Sequence, residues 1–485
     1  MRFLIAGERV AGQGEPFLSR NPATGEVNYS VGTANAEDVE RCVAVARRAV
    51  EDASWRKLRP HERARLLYAI SEGMVRNADR LAEAQMRENG KVLSECRAQV
   101  ASASATFRYY GAVCETLEAA VTPPRGDYIS MTLHEPHGVV AAITPWNSPL
   151  TMEAQKIAPA LAAGNAVVVK PSEVTPTVAL EVARIAHDAG VPPGILNVLT
   201  GTGRTTGIPL IQHPDVRMIS FTGGVGTGRA IGEVAANRLV PVVLELGGKS
   251  PNIVFDDADF EQALDGVAGG IFEGSGQSCV AGSRMFVQRS VYDRALEGLR
   301  RRAQAVRVGL PTDPSSTMGP IASFAHRERV EAFVASARAE GGEIVAGGRR
   351  PDDPLLSGGA FYLPTVIAGL DNQAEACREE IFGPVLCVLP FDTEDDLVAQ
   401  ANDSAFGLAC GIWTADYRKA LRIASAIQAG TIWINTYKQL SISTPFGGFK
   451  ESGLGREKGI AGMRLYQQSK SIFLGLGAGR EAADA

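Results

Sequence analysis

From Val139 onward the chain alternates short apolar runs with helical stretches, and this alternation constrains its fold more than any other feature. The strand candidates are residues 139–144, 166–170, 196–199, 218–222 and 242–246. Helical stretches lie between them, such as 175–190, where Thr175 can cap and Pro176 suits the first turn. Short apolar strands joined by helices argue for a parallel sheet of Rossmann type. A second α/β pattern runs from about 250 to 463, with strand candidates at 253–255, 285–288, 385–389, 411–414 and 430–435. A single core stops growing at about 250–300 residues. The 485 residues therefore imply two large α/β domains.

Residues 3–30 read as short strands broken by turns at Gly12-Gln13-Gly14 and Asn21-Pro22-Ala23-Thr24-Gly25-Glu26. A helix is expected from about Asn35, with Val39, Cys42, Val43, Ala46 and Val50 on one face and Asp38 closing a cap with Asn35. Pro60 suits the opening of a second helix that buries Leu66, Leu67, Ile70 and Met74. Helical patterning resumes over 94–117. Residues 118–136 break it with Pro123, Pro124 and Gly126, and 128–133 is β-prone. An inserted ribbon of this kind is an expected contact between copies, because unpaired strand edges seek partners. From Tyr466 the chain carries Ser471-Ile472-Phe473-Leu474 and then a Gly/Ala-rich tail, expected to be mobile or an arm to a partner.

Bulk properties exclude several function classes. A net charge of −5 gives no general attraction to nucleic acid or anionic membrane. The run Arg300-Arg301-Arg302 reads as a solvated helix face. Seven cysteines are scattered at 42, 96, 114, 279, 377, 387 and 410 without a CxxC or Cys/His cluster. That pattern argues against zinc and for free thiols in a reducing compartment. The apolar run at the start is too short for a signal peptide, and no run of about 18 apolar residues spans a membrane. Cytoplasm is the expectation.

Chemistry concentrates in two Gly-rich segments. Cys279 lies in Gly274-Ser275-Gly276-Gln277-Ser278-Cys279-Val280-Ala281-Gly282. An arbitrary cysteine is usually a small buried hydrophobe, but these glycines allow close backbone approach. Glu245 lies in Leu244-Glu245-Leu246-Gly247-Gly248-Lys249-Ser250-Pro251, at the C-terminal end of a strand candidate, where α/β proteins place functional groups. A thiol and a carboxylate so placed suggest a nucleophile and a base that works after it. Asn147, in Thr144-Pro145-Trp146-Asn147-Ser148-Pro149, follows a strand and can equally cap the next helix. Lys170-Pro171-Ser172-Glu173 and Glu379-Glu380-Ile381-Phe382-Gly383-Pro384 are loop-like segments beside strands. Two glycine turns, Gly201-Thr202-Gly203 with Gly207 and Phe221-Thr222-Gly223-Gly224-Val225-Gly226, follow strands, and neither matches GxGxxG.

The order and spacing of these motifs, over nearly the whole chain, resemble the NAD(P)-dependent aldehyde dehydrogenase superfamily. Late motifs match too: Asn435, then Pro445-Phe446-Gly447-Gly448-Phe449-Lys450 and Ser452-Gly453. The resemblance implies a Rossmann-like cofactor domain (1–117 and 137–246) and a catalytic domain (247–463). It also implies an oligomerisation ribbon with a C-terminal arm (118–136 and 464–485), giving a dimer or tetramer. Cys279 is the implied nucleophile, Glu245 the base for thioester hydrolysis, and Asn147 with the Cys279 N–H the oxyanion hole. Lys170 belongs to the implied catalytic set and, with Glu173, to the adenosine ribose site. Glu173 favours NAD over NADP. Thr144, Pro145, Trp146, Ser172, Gly203, Gly207, Phe221, Thr222, Gly223, Gly224, Leu246 and Gly247 complete the implied cofactor surface. Glu380 sits at the nicotinamide ribose and Phe382 at the nicotinamide. Gly224 stands where the family commonly has serine, which leaves backbone N–H groups and the helix dipole to hold the pyrophosphate.

By the same resemblance, the substrate channel is lined by Ser148, Met152, Gln155, Ser278, Leu440 and Phe446. Several members have aromatics where Ser148 and Gln155 stand, so a polar aldehyde is expected, hydroxylated, amino or carboxylated. Lys438, near the presumed mouth, can attract an acidic group or simply be solvated. Two rival readings remain: a dehydrogenase that passes the acyl group to coenzyme A, disfavoured by Glu245, and a catalytically silent member, disfavoured by the presence of both Cys279 and Glu245.

Overall fold

A computed structural model describes residues 1–477. Its first large sheet has eight strands. Five are parallel and lie side by side in the order Leu196–Val198, Ala166–Lys170, Val139–Ile143, Val216–Thr222 and Val242–Glu245. Numbered along the chain, that order is 3-2-1-4-5, the doubly wound arrangement, whose order reverses between Val139–Ile143 and Val216–Thr222. A ligand crevice belongs outside the carboxyl ends of the strands at that reversal. Helices cover the sheet, among them Pro149–Ala162, Pro176–Asp188 and Val225–Arg238, and the strands carry Val, Ile and Ala because both faces are buried.

The second sheet has seven strands in the order Glu343–Ala346, Thr365–Ala368, Val385–Phe391, Arg284–Gln288, Pro251–Val254, Ala409–Trp413 and Thr431–Ile434. All neighbours but the first pair are parallel. Two apolar clusters fill its faces. The sequence reading missed the strands at 343–346 and 365–368; each is four residues long and isolated between loops. The fold is thus α/β with a Rossmann-like sheet, a second α/β sheet and a β-ribbon. The ribbon is Ala120–Thr122, Tyr128–Pro136 and Gln467–Gly475, paired antiparallel. The Gly/Ala-rich tail from 478 lies outside the described residues. Among the described residues no helix is long and apolar enough to cross a membrane.

Near the N-terminus, Asn35 and Asp38 form the expected capping box on the helix Ala36–Glu51. Pro60 opens the helix Pro60–Arg76. The expected inward set of that helix is corrected at one position: Leu67, Ile70 and Met74 are buried, while Leu66 is half-buried at the helix edge.

One connection ties the late chain to the first sheet. The two-residue strand Gly453–Leu454 pairs antiparallel with Leu244 and Glu245, and Leu246 N–H donates to the Ser452 carbonyl at 3.0 Å. Gly453 has φ 149°, and a Cβ there would stand 2.1 Å from the Leu244 carbonyl oxygen, so only glycine lets the two strands approach. Gly453→Ala is expected to cost about 1–3 kcal/mol and to lower the melting temperature. An unchanged melting curve would show that this contact does not hold the edge.

Candidate active site

The strand ends at the reversal of the first sheet carry the predicted cofactor residues. Thr144 follows Ile143, Lys170 ends its strand, and Phe221 and Thr222 end the fourth parallel strand. Lys170 is buried, and its ammonium bonds Glu173 Oε1 at 3.1 Å. Burial lowers its pKa while Glu173 holds it up. Beyond Thr222 the helix Val225–Arg238 begins, with Gly224 as N-cap and no side-chain cap. A Cβ at Gly224 would meet nothing within 4 Å, so this N-terminus is open to an incoming anion. Gly203 and Gly207 form a π-helical turn after Leu196–Val198, on the far side of Lys170 from the reversal. Ser172 lies in the turn between Lys170 and Glu173 and accepts from Val174 N–H.

A cavity of about 530 Å³ opens beside this edge. Its lining gathers predicted residues from five separate segments: Pro145 to Ser148, Thr222 to Gly224, Glu245 to Gly247, Ser278 and Cys279, and Glu380 with Phe382. The channel set Ser148, Met152, Gln155, Ser278, Leu440 and Phe446 lines it as well. Thr144, Lys170, Ser172, Glu173, Gly203, Gly207 and Phe221 do not line this cavity; they continue along the sheet edge outside it. A dinucleotide fits this surface on two observations. The Thr222 hydroxyl and the Thr144 hydroxyl are buried without partners among the described residues, and the helix N-terminus at Gly224 is unencumbered.

Cys279 reaches the cavity from an unusual backbone. Gly274, Ser275 and Gly276 are consecutive left-handed residues, with φ of 64°, 56° and 69°. Ser275 accepts this conformation because its hydroxyl donates to the Gly319 carbonyl at 2.8 Å. A Cβ at Gly276 would stand 2.1 Å from the Gly383 carbonyl oxygen, which brings the thiol loop against the Glu380–Phe382 segment. Burial pushes the Cys279 thiol up to about 12, with Glu380 and Glu245 adding to the shift. Asn147 Nδ2 donates to the Gln277 carbonyl at 2.9 Å, so its amide is anchored on the loop that carries the thiol. An amide nitrogen has a second proton, available to an oxygen in the cavity.

Glu245 is 4% exposed, and neither carboxylate oxygen has a partner among the described residues. Burial raises its pKa well above the usual carboxylate range, and Glu457 raises it further. Glu380 is anchored by Gly248 N–H at 2.9 Å, and burial pushes it up to about 7. The Phe382 ring stands edge-on to Trp146, 5.3 Å between centroids. A nucleophile, an amide donor and a buried acid around one cavity can support covalent acyl chemistry.

Sequence reasoning missed three residues beside Glu245. Lys156, on the helix Pro149–Ala162, bonds Glu457 Oε1 at 2.6 Å and Ser220 Oγ at 3.0 Å, fully buried. Lys458 lines the cavity with Glu457. Only the fold joins these positions, since Lys156 and Glu457 lie 301 residues apart. The available signal was three charged residues, Arg456-Glu457-Lys458, within a Gly-rich stretch. Lys438 is corrected: its ammonium donates to the Gly269 carbonyl at 3.3 Å, behind the thiol loop, and it does not line the cavity. The other six cysteines are buried.

The family model described as the aldehyde dehydrogenase family matches residues 10–472. The chain is 42% identical to a betaine aldehyde dehydrogenase of Agrobacterium fabrum, over 96% of this chain and 94% of that protein. It is 39% identical to a betaine aldehyde dehydrogenase of Bacillus subtilis, over 97% and 96%. Among solved structures it resembles betaine aldehyde dehydrogenase from Staphylococcus aureus in complex with NAD+. That match has a TM-score of 0.96 at 38% identity and covers 100% of this chain and 97% of that one. An aldehyde dehydrogenase from Bacillus cereus in complex with NAD+ matches with a TM-score of 0.96 at 37% identity, over 98% and 97%.

Because the Cys279 thiol is held near 12, its thiolate fraction without ligands should grow about tenfold per pH unit between pH 7 and 9. Carbamidomethylation of Cys279, followed by peptide mass spectrometry, should rise in step. A plateau near pH 8 would contradict the burial argument.

Proposed function

We propose a substrate class and a residue-level mechanism on the premise that this chain belongs to the aldehyde dehydrogenase family and is an NAD-dependent aldehyde dehydrogenase. The observation that carries the mechanism is the convergence of Cys279, Asn147 and Glu245 on one cavity at the sheet reversal. Cys279 gives its thiol proton to solvent water in the cavity, and the thiolate Sγ attacks the aldehyde carbon to form a thiohemiacetal. The Asn147 amide and the Cys279 N–H hold its oxyanion; removing one such donor typically costs about 10²–10³ in kcat. Bound NAD supplies the acceptor for the hydride that the thiohemiacetal carbon gives up, leaving a thioester on Cys279. Glu245, once deprotonated, takes a proton from water, and the resulting attack releases the acid.

The cofactor residues divide the binding work. Lys170 and Glu173 address the adenosine ribose, Gly223 and Gly224 the pyrophosphate, and Glu380 the second ribose. Phe382, stacked edge-on to Trp146, walls the nicotinamide end. Residues 1–117 with 137–246 then form the cofactor-binding unit and 247–463 the catalytic unit. The ribbon is a self-association surface, supported by the exposed Val121, Ile129, Phe473, Leu474 and Leu476.

The substrate is a small polar aldehyde. Ser148 and Gln155 supply polar lining beside Met152, and Gln99 Nε2 donates to Ser148 Oγ at 3.1 Å. Hydrolytic release rather than transfer to coenzyme A is favoured by Glu245, buried at the cavity beside the thiol.

Cys279→Ala should abolish turnover while NAD binding, read by calorimetry, persists; wild-type turnover in that variant would end the assignment. Glu245→Gln should give a burst of about one NADH per active site and then slow turnover by about 10²-fold or more. Because burial raises the Glu245 pKa, wild-type deacylation should accelerate as pH rises from 6 to 9, and the variant should lose that rise. A linear progress curve with unchanged pH dependence would remove Glu245 from the hydrolytic step. With an aldehyde panel, kcat/KM should favour polar over aliphatic aldehydes of equal length; the reverse ranking would refute the polar channel.

A further inference from the structure

The reaction above leaves one buried charge in the cavity unused; Arg329, also in the lining, is exposed and donates to the Glu380 carbonyl at 3.4 Å. Lys458 is 7% exposed and lines the cavity beside Glu245 and Cys279. It makes no ion pair or hydrogen bond through its ammonium among the described residues. The ammonium instead stands over the Phe446 ring, 5.1 Å from the centroid. Burial pulls its pKa below the usual lysine range, while Glu457, Cys279 and Glu245 hold it up. A buried cation without a counter-charge is costly, so its partner is expected to arrive with a ligand.

Neighbouring acids do not supply that partner. Glu457 is committed to Lys156 at 2.6 Å. Glu245 makes no ion pair with Lys458, and burial disfavours its charged form. Glu380 is engaged by Gly248 N–H. The lining on the Ser148 segment and its neighbours is uncharged, mixing Gln99, Ser102, Thr151 and Gln155 with apolar Ala98 and Met152. Ser148 Oγ accepts from Gln99, so its own proton is free to donate. A quaternary ammonium substrate would need aromatic faces. Trp146 and Phe382 pack on each other at the proposed nicotinamide end, and the Phe446 face is already covered by the Lys458 ammonium, which would repel such a group.

Resting on the dehydrogenase reading above, we propose that Lys458 is a specificity-determining residue. Its ammonium pairs with a carboxylate on the substrate, so the preferred aldehydes are short oxo acids and the products dicarboxylates. Lys458 and Cys279 line the same cavity, so a short oxo acid can present its carbonyl to the sulfur and its carboxylate to the ammonium.

The test compares glyoxylate, 4-oxobutanoate and 5-oxopentanoate with their neutral methyl esters, using the full-length enzyme and NAD. At least one acid should exceed its ester in kcat/KM by about tenfold or more. Lys458→Met should lower the acid-to-ester ratio of kcat/KM by about tenfold, through KM for the acid, and Lys458→Arg should retain the ratio. Should Lys458→Met fail to fold, Lys458→Gln and the wild-type acid-to-ester ratio carry the same test. Equal rates for acids and esters in the wild type would overturn the proposal while leaving aldehyde oxidation intact. So would an equal loss for both in the variant, which would make Lys458 a helper of Cys279 or Glu245. Rapid oxidation of betaine aldehyde with no oxidation of any oxo acid would also overturn it. Failure to reduce NAD with any aldehyde would instead sink the dehydrogenase reading itself.

Discussion

The antiparallel pairing of Gly453–Leu454 against Leu244 and Glu245 is the constraint on which the site depends. It grafts a strand from the end of the chain onto the edge of the first sheet. Ser452 reinforces the graft from both sides, accepting from Leu246 N–H through its carbonyl and from Gly407 N–H through its hydroxyl. Glu245 is thereby fixed between two strands of that sheet, paired with Thr222 on one side and Gly453 on the other. Arg456, Glu457 and Lys458 then arrive beside it automatically, because they follow Gly453 within five residues. Phe446 reaches the same place through its backbone pair of bonds with Glu457. One two-residue strand therefore brings Phe446, Glu457 and Lys458 into the cavity lining.

Burial, more than any single ion pair, sets the electrostatics there. It is the largest influence on Cys279, Glu245, Glu380 and Lys458, and in each case it favours the neutral form. The exception is the fully buried pair of Lys156 and Glu457, held by a short bond and by Ser220. Breaking such a pair by removing one partner typically costs about 3–5 kcal/mol. Of the pair, Glu457 reaches the cavity lining, beside Glu245, whose own oxygens are unengaged among the described residues.

Much of this was legible in the chain. The five parallel strands, their helices and the ribbon follow from apolar period, proline and glycine placement, with bounds that shift by one or two residues. The thiol, the acid and the amide donor were visible because each sits in a distinctive Gly- or Pro-punctuated motif. What stayed hidden depends on distance along the chain. Lys156 reads locally as a charged residue on an apolar helix, and nothing nearby names Glu457 as its partner. Lys438 and Lys458 are both lysines near late glycines, and periodicity cannot tell which one turns inward. Both take left-handed backbone, with φ of 55° and 61°, and only their tertiary contacts separate them: Lys438 bonds the Gly269 carbonyl, while Lys458 turns over Phe446.

The protonated resting state of Cys279 has a consequence for durability. Peroxide attacks sulfur anions far faster than neutral thiols. A side chain that ionises only near 12 is thus a poor target while it waits. The same burial that favours the neutral thiol therefore keeps down the sulfur-anion population on which such oxidation feeds, even though the sulfur opens onto the cavity.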